Sequence, residues 1–168
     1  MKKLIPLSLF ILVSCINPQS YENKGKIVDS MATAVTNENK DIPFVEAKDL
    51  MVQMQQKSYT AILVDARSQL EQATSMIPGA VPKHIFEENK RNFRDKEIIT
   101  YCTIGGRSSA YSRELMAQGF KSTSLKGGVL AWAQEKGSFT LEGKDTKKVH
   151  FLNDAWNILP EEYEGVSP

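Results

Sequence analysis

Cysteine and histidine are scarce in this chain, at two each in 168 residues. His84 and His150 lie far apart, and neither has a Cys or His at ligand spacing, so no metal site is read from the sequence. Two cysteines, Cys15 and Cys102, allow one disulfide at most. No charge of one sign dominates, since 21 basic and 20 acidic residues leave a formal net charge of +1. That balance argues against nucleic-acid binding and against a polybasic membrane patch. Long apolar runs are missing too: Leu4 to Val13 is the longest, and it is too short to span a bilayer as a helix. What is present is an ordinary globular composition, 41% apolar and 24% charged, in enough chain for one domain with extensions.

The first residues read as a targeting segment. Lys2 and Lys3 form a positive start and Leu4 to Val13 an apolar core, and the segment ends in Leu12-Val13-Ser14-Cys15. The last four residues resemble a bacterial lipobox, whose cysteine is lipidated and becomes the mature N-terminus; the alternative is a secretory signal with an incidental cysteine. On this reading residues 1–14 are a signal peptide. Cys15 carries the lipid, and 15–40 are a flexible tether holding a domain on the periplasmic side of the cell envelope. Ile16 in place of Asp favours the outer membrane. Stable attachment needs more than one acyl chain, which a processed lipoprotein supplies. Removing Lys2 and Lys3 from 21 basic residues leaves 19 against 20 acids, a formal charge of −1. Ile16 to Lys40 is polar with little apolar periodicity, and a coil of about 25 residues reaches roughly 25–30 Å. A short helix or strand around Ile27 to Val35 is the other reading. With Cys15 lipidated, Cys102 is the one free thiol, and an exported unpaired cysteine is unusual unless its sulfur has a task.

That second cysteine heads the most informative stretch, Tyr101-Cys102-Thr103-Ile104-Gly105-Gly106-Arg107-Ser108. An apolar run, Ile98 to Tyr101, precedes it, and a helix-patterned segment, Ser108 to Gln118, follows. Gly105 and Gly106 open conformations closed to other residues. Successive N–H groups in such a loop can form an anion-binding nest at the positive end of the following helix, with Arg107 adding a full charge. A cysteine placed there is expected to have a depressed pKa and to act as a nucleophile. The bland alternative is a buried strand-end cysteine before a glycine-rich turn.

Cys102-Thr-Ile-Gly105-Gly-Arg107-Ser108 resembles the active-site loop of rhodanese-type sulfurtransferases. Two further blocks agree in order and spacing. Val64-Asp65-Ala66-Arg67 with Glu71 and Ile77-Pro78-Gly79-Ala80-Val81-Pro82 is similar to the family's first signature, and Gly127-Gly128-Val129-Leu130-Ala131-Trp132 to its last. The resemblance covers about Ile42 to Gly137 and places a rhodanese-like domain at 41–137, with 138–168 an extension packing on it. Ser75-Met76 stands where the family usually has Gly-His.

The pattern along the chain agrees with an α/β fold, with a mainly parallel central sheet and helices on both faces. Ile42-Pro43-Phe44 reads as a first edge strand, Ala47, Leu50, Met51 and Met54 as a helix face, and Ala61 to Val64 as a buried strand. Phe86 to Lys96 reads as a charged connection with a helical turn around Glu87 to Phe93. The helix after the cysteine turns Ala110, Tyr111 and Leu115 inward, with Gly119 as its left-handed cap. Ser122 to Leu125 forms the last strand, and a helix from Val129 to Lys136 stops at Gly137.

The resemblance implies that Cys102 takes a sulfur from a donor such as thiosulfate and passes it to a thiol or to cyanide. Thr103, Ile104, Gly105, Gly106 and Arg107 cradle that sulfur. No cofactor or metal is implied, and Asp65, Arg67 and Glu71 organise the loop after their strand. The rivals are phosphatase or arsenate-reductase chemistry, for which the loop is one residue short of Cys-x5-Arg, and an envelope-anchored persulfide carrier or binding module serving a protein partner.

Overall fold

The short apolar runs become the strands of one parallel sheet. β1 (Phe44–Val45), β2 (Ile62–Asp65), β3 (Val81–Pro82), β4 (Glu97–Tyr101) and β5 (Lys121–Leu125) lie in the order β1-β5-β4-β2-β3, and each neighbouring pair is parallel. The structure, a computed structural model, describes residues 21–151 and 156–167. Parallel neighbours require crossovers, made here by α2 (Ala47–Met54), α3 (Gln69–Gln72), α4 (Lys83–Asn89) and α5 (Gly106–Ala117), while α1 (Tyr21–Glu38) precedes the sheet and α6 (Gly128–Gln134) follows it. The period-2 alternation of strands divides the apolar residues between two cores. Leu63, Ile99, Tyr101 and Leu125 face one, together with residues of α1, α2 and α6. Val64 and Ile98 face the other, with Phe86 of α4 and with Tyr111 and Leu115 of α5.

The mainly parallel sheet with helices around it is the expected fold, but four local expectations change. The tether does not extend to residue 40, because residues 21–38 form α1 and not coil. Val28 and Ala32 are buried in the first core. The small side chains of α1 allow close approach; Ala32 Cβ lies 3.3 Å from where a Cβ on Gly127 would stand. The charged connection after β3 is helical from Lys83, because Phe86 is fully buried and packs against Phe93 and Phe120. On α5 the inward residues are Ser108, Ser109, Ser112, Tyr111 and Leu115, while Ala110 is exposed. After α6 the left-handed residue is Lys136 (φ 59°), and Gly137 follows it against the Trp132 ring.

Gly119 takes the expected role. Its φ is +84°, and the bonds Phe120 N–H to Leu115 C=O and Gly119 N–H to Met116 C=O close α5. Beyond the central sheet lie β6 (Phe139–Leu141) and β7 (Lys144–Thr146), an antiparallel pair, and β8 (Lys148–His150) with β9 (Glu164–Val166), a parallel one. Phe139, Val149, Phe151, Leu159 and Tyr163 from this C-terminal region are buried in the first core. Met76, which stands at the family's usual histidine position, exchanges both backbone hydrogen bonds with Thr140 of β6.

Candidate active site

Cys102 follows β4 at the C-terminal edge of the sheet, where open α/β sheets bind ligands. It is 2% exposed. The loop curls back so that the Gly105 amide donates to its Sγ at 3.2 Å. The turn needs φ +121° at Gly105, a conformation that a side chain would strain. Gly106 adopts no such conformation and opens α5 at the surface, so only the first glycine of the pair is required by the backbone.

Behind the thiol lies a layer of buried hydroxyls. Ser108 Oγ sits 3.6 Å from Sγ, donates to the Gly105 carbonyl at 3.0 Å, and pairs with Ser124 Oγ at 2.9 Å. Ser109 Oγ also donates to the Gly105 carbonyl, at 2.8 Å. Thr100, Ser112 and Ser122 continue the row at 2.8 and 3.0 Å. Each hydroxyl has a partner, so the layer does not carry the desolvation cost of unpaired polar groups.

Two supports hold the loop from outside. The first is α6. The N–H groups of Val129 and Leu130 donate to the carbonyls of Cys102 and Thr103 at 2.9 and 3.2 Å, so the third sequence block braces the second. The second support is Glu71, whose side chain is 3% exposed. Its carboxylate accepts from both Nη atoms of Arg107 at 2.7 Å, from Thr103 Oγ1 at 3.0 Å, and from the Ser68 N–H and hydroxyl at 2.9 and 2.8 Å. Arg107 Nη2 also donates to Thr103 Oγ1 at 2.9 Å. Sequence reasoning gave Glu71 only the loop after β2. Ser68-Gln-Leu-Glu71 is an S-x-x-E capping box at the start of α3, a readable signal that fixes Glu71 in place to reach the cysteine loop. Asp65 and Arg67 do pair locally, as expected, at 2.7 Å with both side chains fully buried.

The candidate residues are therefore gathered, except one. Cys102, Thr103, Ile104 and Gly105 are buried in the loop, and Gly106 and Arg107 are exposed at its rim. Ile104 is apolar and packs in the first core. Cys15 lies outside the described residues. Among those described, no helix is long and apolar enough to cross a membrane.

Burial alone would raise the Glu71 pKa, but the Arg107 and Ser68 hydrogen bonds outweigh it and hold the carboxyl at about 2. Arg107 is shifted upward, chiefly by its hydrogen bond to Glu71, against the cost of burial and with a further contribution from the nearby Cys102 sulfur. A depressed carboxylate contributes stability above its unfolded value and loses it as pH falls through the folded one. Glu71→Gln is therefore expected to cost about 2 kcal/mol near neutral pH, reduced because Arg107 is partly exposed. Urea unfolding at a series of pH values checks this. The gap from wild type should be full above about 4.5 and close towards 2; a gap that stays constant with pH would refute the linkage.

The rhodanese-like domain profile matches residues 46–135. A sulfurtransferase of Allochromatium vinosum is 36% identical over 77 residues, covering 44% of this chain and 72% of that protein. A tRNA sulfurtransferase of Desulfurococcus amylolyticus is 41% identical over 69 residues, 41% of this chain but 14% of its own length. Several tRNA uridine(34) hydroxylases also match, over less than a third of their length. This chain thus spans a minor part of most of the curated relatives it matches. Among solved structures, a rhodanese-like domain protein of Staphylococcus aureus superposes with a TM-score of 0.52 at 24% identity, covering 61% of this chain and all of that one. With the profile spanning more than half of the sequence and its three signature blocks brought together around Cys102, the chain belongs to the rhodanese-like domain family.

Proposed function

We propose that this protein is a sulfurtransferase that moves a sulfane sulfur from a donor such as thiosulfate to a thiol or cyanide, through a persulfide on Cys102. The observation that carries the reading is the loop geometry: a thiol at the foot of a turn whose Gly105 amide already donates to it. In the first step the Cys102 thiolate attacks the outer sulfur of thiosulfate. A Cys–S–S bond forms, the donor's S–S bond breaks, and its electron pair leaves with sulfite. In the second step the acceptor attacks the terminal persulfide sulfur. Cyanide leaves as thiocyanate, or a thiol leaves as a new persulfide, and the Cys102 thiolate is regenerated. Charge and atoms balance across both steps, with no outside oxidant.

The amides from Thr103 to Arg107 hold the terminal sulfur as an anion, and Arg107, oriented by Glu71, stabilises charge developing on donor and leaving group. Glu71 offsets part of the Arg107 charge, which suits a small anion that must leave again after each turnover. The lipobox-like Leu12-Val13-Ser14-Cys15 supports attachment on the periplasmic side of a bacterial envelope through lipid on Cys15.

Mass spectrometry of the full chain isolated from bacterial membranes tests both parts. Thiosulfate treatment is expected to add about 32 Da, one sulfur, to wild type and nothing to Cys102→Ser. The same spectrum reads the N-terminus, where acylated Cys15 is expected. Absence of the adduct from wild type ends the sulfur-transfer reading, and an unprocessed or unacylated N-terminus ends the anchor.

A further inference from the structure

The family match begins at residue 46, so α1 is an addition to the matched domain, and it lies against the cysteine loop. Val35 Cγ1 sits 3.3 Å from where a Cβ on Gly105 would stand. Ile104 shares its apolar cluster with Val28, Met31, Ala32 and Val35. Val35 itself is half-buried, at the boundary between the enclosed residues 102–105 and the open rim at Gly106 and Arg107.

Val28 and Ala32 anchor α1 in the first core, and its remaining ties are polar and nearer solvent. Lys24 Nζ donates to the Leu159 carbonyl at 2.9 Å, and Asp29 faces Lys126 at 3.8 Å. At the C-terminal end, Arg113 of α5 donates to Asn39 Oδ1 at 2.9 Å and to both Asp41 oxygens at 2.6 and 2.9 Å. Exposed pairs of this kind hold weakly, so the buried residues fix α1 at the loop while its C-terminal end, near Val35, is held more lightly.

We infer that α1 is a size filter for the sulfur site: Val35, seated on Gly105, narrows the approach to Cys102 so that small inorganic donors and acceptors reach the sulfur and bulky ones, protein thiols among them, are held out. The substrate class named here rests on the sulfur-transfer reading; the restricted access does not. The strongest support is that Cys102 is almost fully enclosed while its neighbours Gly106 and Arg107 are open, with Val35 of α1 resting against Gly105, whose amide meets the sulfur.

Alkylation separates the two. In a full-length Cys15→Ser protein Cys102 is the sole thiol, and its rates with iodoacetamide and with a bulky fluorescein maleimide measure access alone. Val35→Ala is expected to raise the maleimide rate relative to the iodoacetamide rate by about tenfold, a barrier change of about 1.4 kcal/mol. Arg113→Ala, which loosens the end of α1 without touching the site, should move the ratio the same way while leaving the thiosulfate–cyanide rate unchanged. In sulfur transfer, both variants should favour glutathione over cyanide as acceptor. An unchanged ratio in both variants, or an equal rise with both reagents, overturns the filter. A changed ratio in a protein that transfers no sulfur leaves the filter standing and overturns the sulfur-transfer reading instead.

Discussion

Replacing Asp65 with alanine is expected to destabilise the protein by about 3–5 kcal/mol, the range for stripping one partner from a wholly buried ion pair. Both Asp65 and Arg67 side chains are shut away from solvent. Asp65 accepts from Arg67 Nε, Nη2 and backbone N–H and from the Tyr101 hydroxyl at 2.7 Å. Without the carboxylate, Arg67 keeps the Ser75 carbonyl as its acceptor, and its Nη1 already has no hydrogen-bond partner among the described residues. Burial would lower the Arg67 pKa, but Asp65 overrides it and the shift is upward, so the variant removes the main group that offsets the cost of burying this cation. At about 2–4 °C per kcal/mol for a chain of this size, the melting temperature should drop by roughly 10 °C. The Asp65→Ala/Arg67→Met double variant should recover much of the loss, because the charge to be compensated is gone. A single variant that melts within about 2 °C of wild type would show that water or a rearranged Arg67 takes over.

Gly128→Ala is expected to be as severe and to reach the chemistry as well. A Cβ there would sit 2.1 Å from the Cys102 carbonyl oxygen and 2.8 Å from the Thr103 carbonyl group, on a backbone with φ +51°. The obstruction is main chain, which cannot swing aside as a side-chain tip does. Relief requires moving either α6 or the loop, and the Val129 and Leu130 amides bind those same carbonyls. A cost on the order of 3 kcal/mol follows. Any folded fraction should form the Cys102 adduct about a hundredfold more slowly, the scale of loss for a displacement near 1 Å. Gly106→Ala is the control, since none of the described residues lies within 4 Å of its Cβ position and its backbone is ordinary; it should unfold within about 0.5 kcal/mol of wild type. Comparable damage from both variants would mean that loop flexibility, and not the α6 contact, is what the glycines supply.

Much of this was legible in the residues themselves. The run Ile98 to Tyr101, the Cys-x-x-Gly-Gly-Arg loop and the Gly119-Phe120 cap each state a local structure that local physics enforces. The α1 helix was legible only as the alternative reading around Ile27 to Val35, because its buried face rests on Val28 and Ala32 and on close approach to Gly127 more than on a broad apolar stripe. Its packing is a matter of fit to a surface the sequence does not display. The inward face of α5 was misread for a related reason. Apolar periodicity selects Ala110, while the fold buries Ser108, Ser109 and Ser112 because strands β4 and β5 bring Thr100, Ser122 and Ser124 to meet them. Pairing across elements decides which polar residues can go inside, and no single segment announces it. Glu71 stood between: its capping box was visible, but its reach to Thr103 and Arg107 depends on where the next crossover lands.

The seam of serines and threonines beneath α5 has a mechanical consequence. Oily surfaces tolerate small rolls of one element over another, since the dispersion attraction given up on one side is regained on the other. Directional bonds do not, so each fraction of a turn would break several of them together. The helix is thereby indexed to the strands like a gear to its rack, and the azimuth of its first turn, from which the Cys102 loop hangs, is set by hydroxyl chemistry some distance below it.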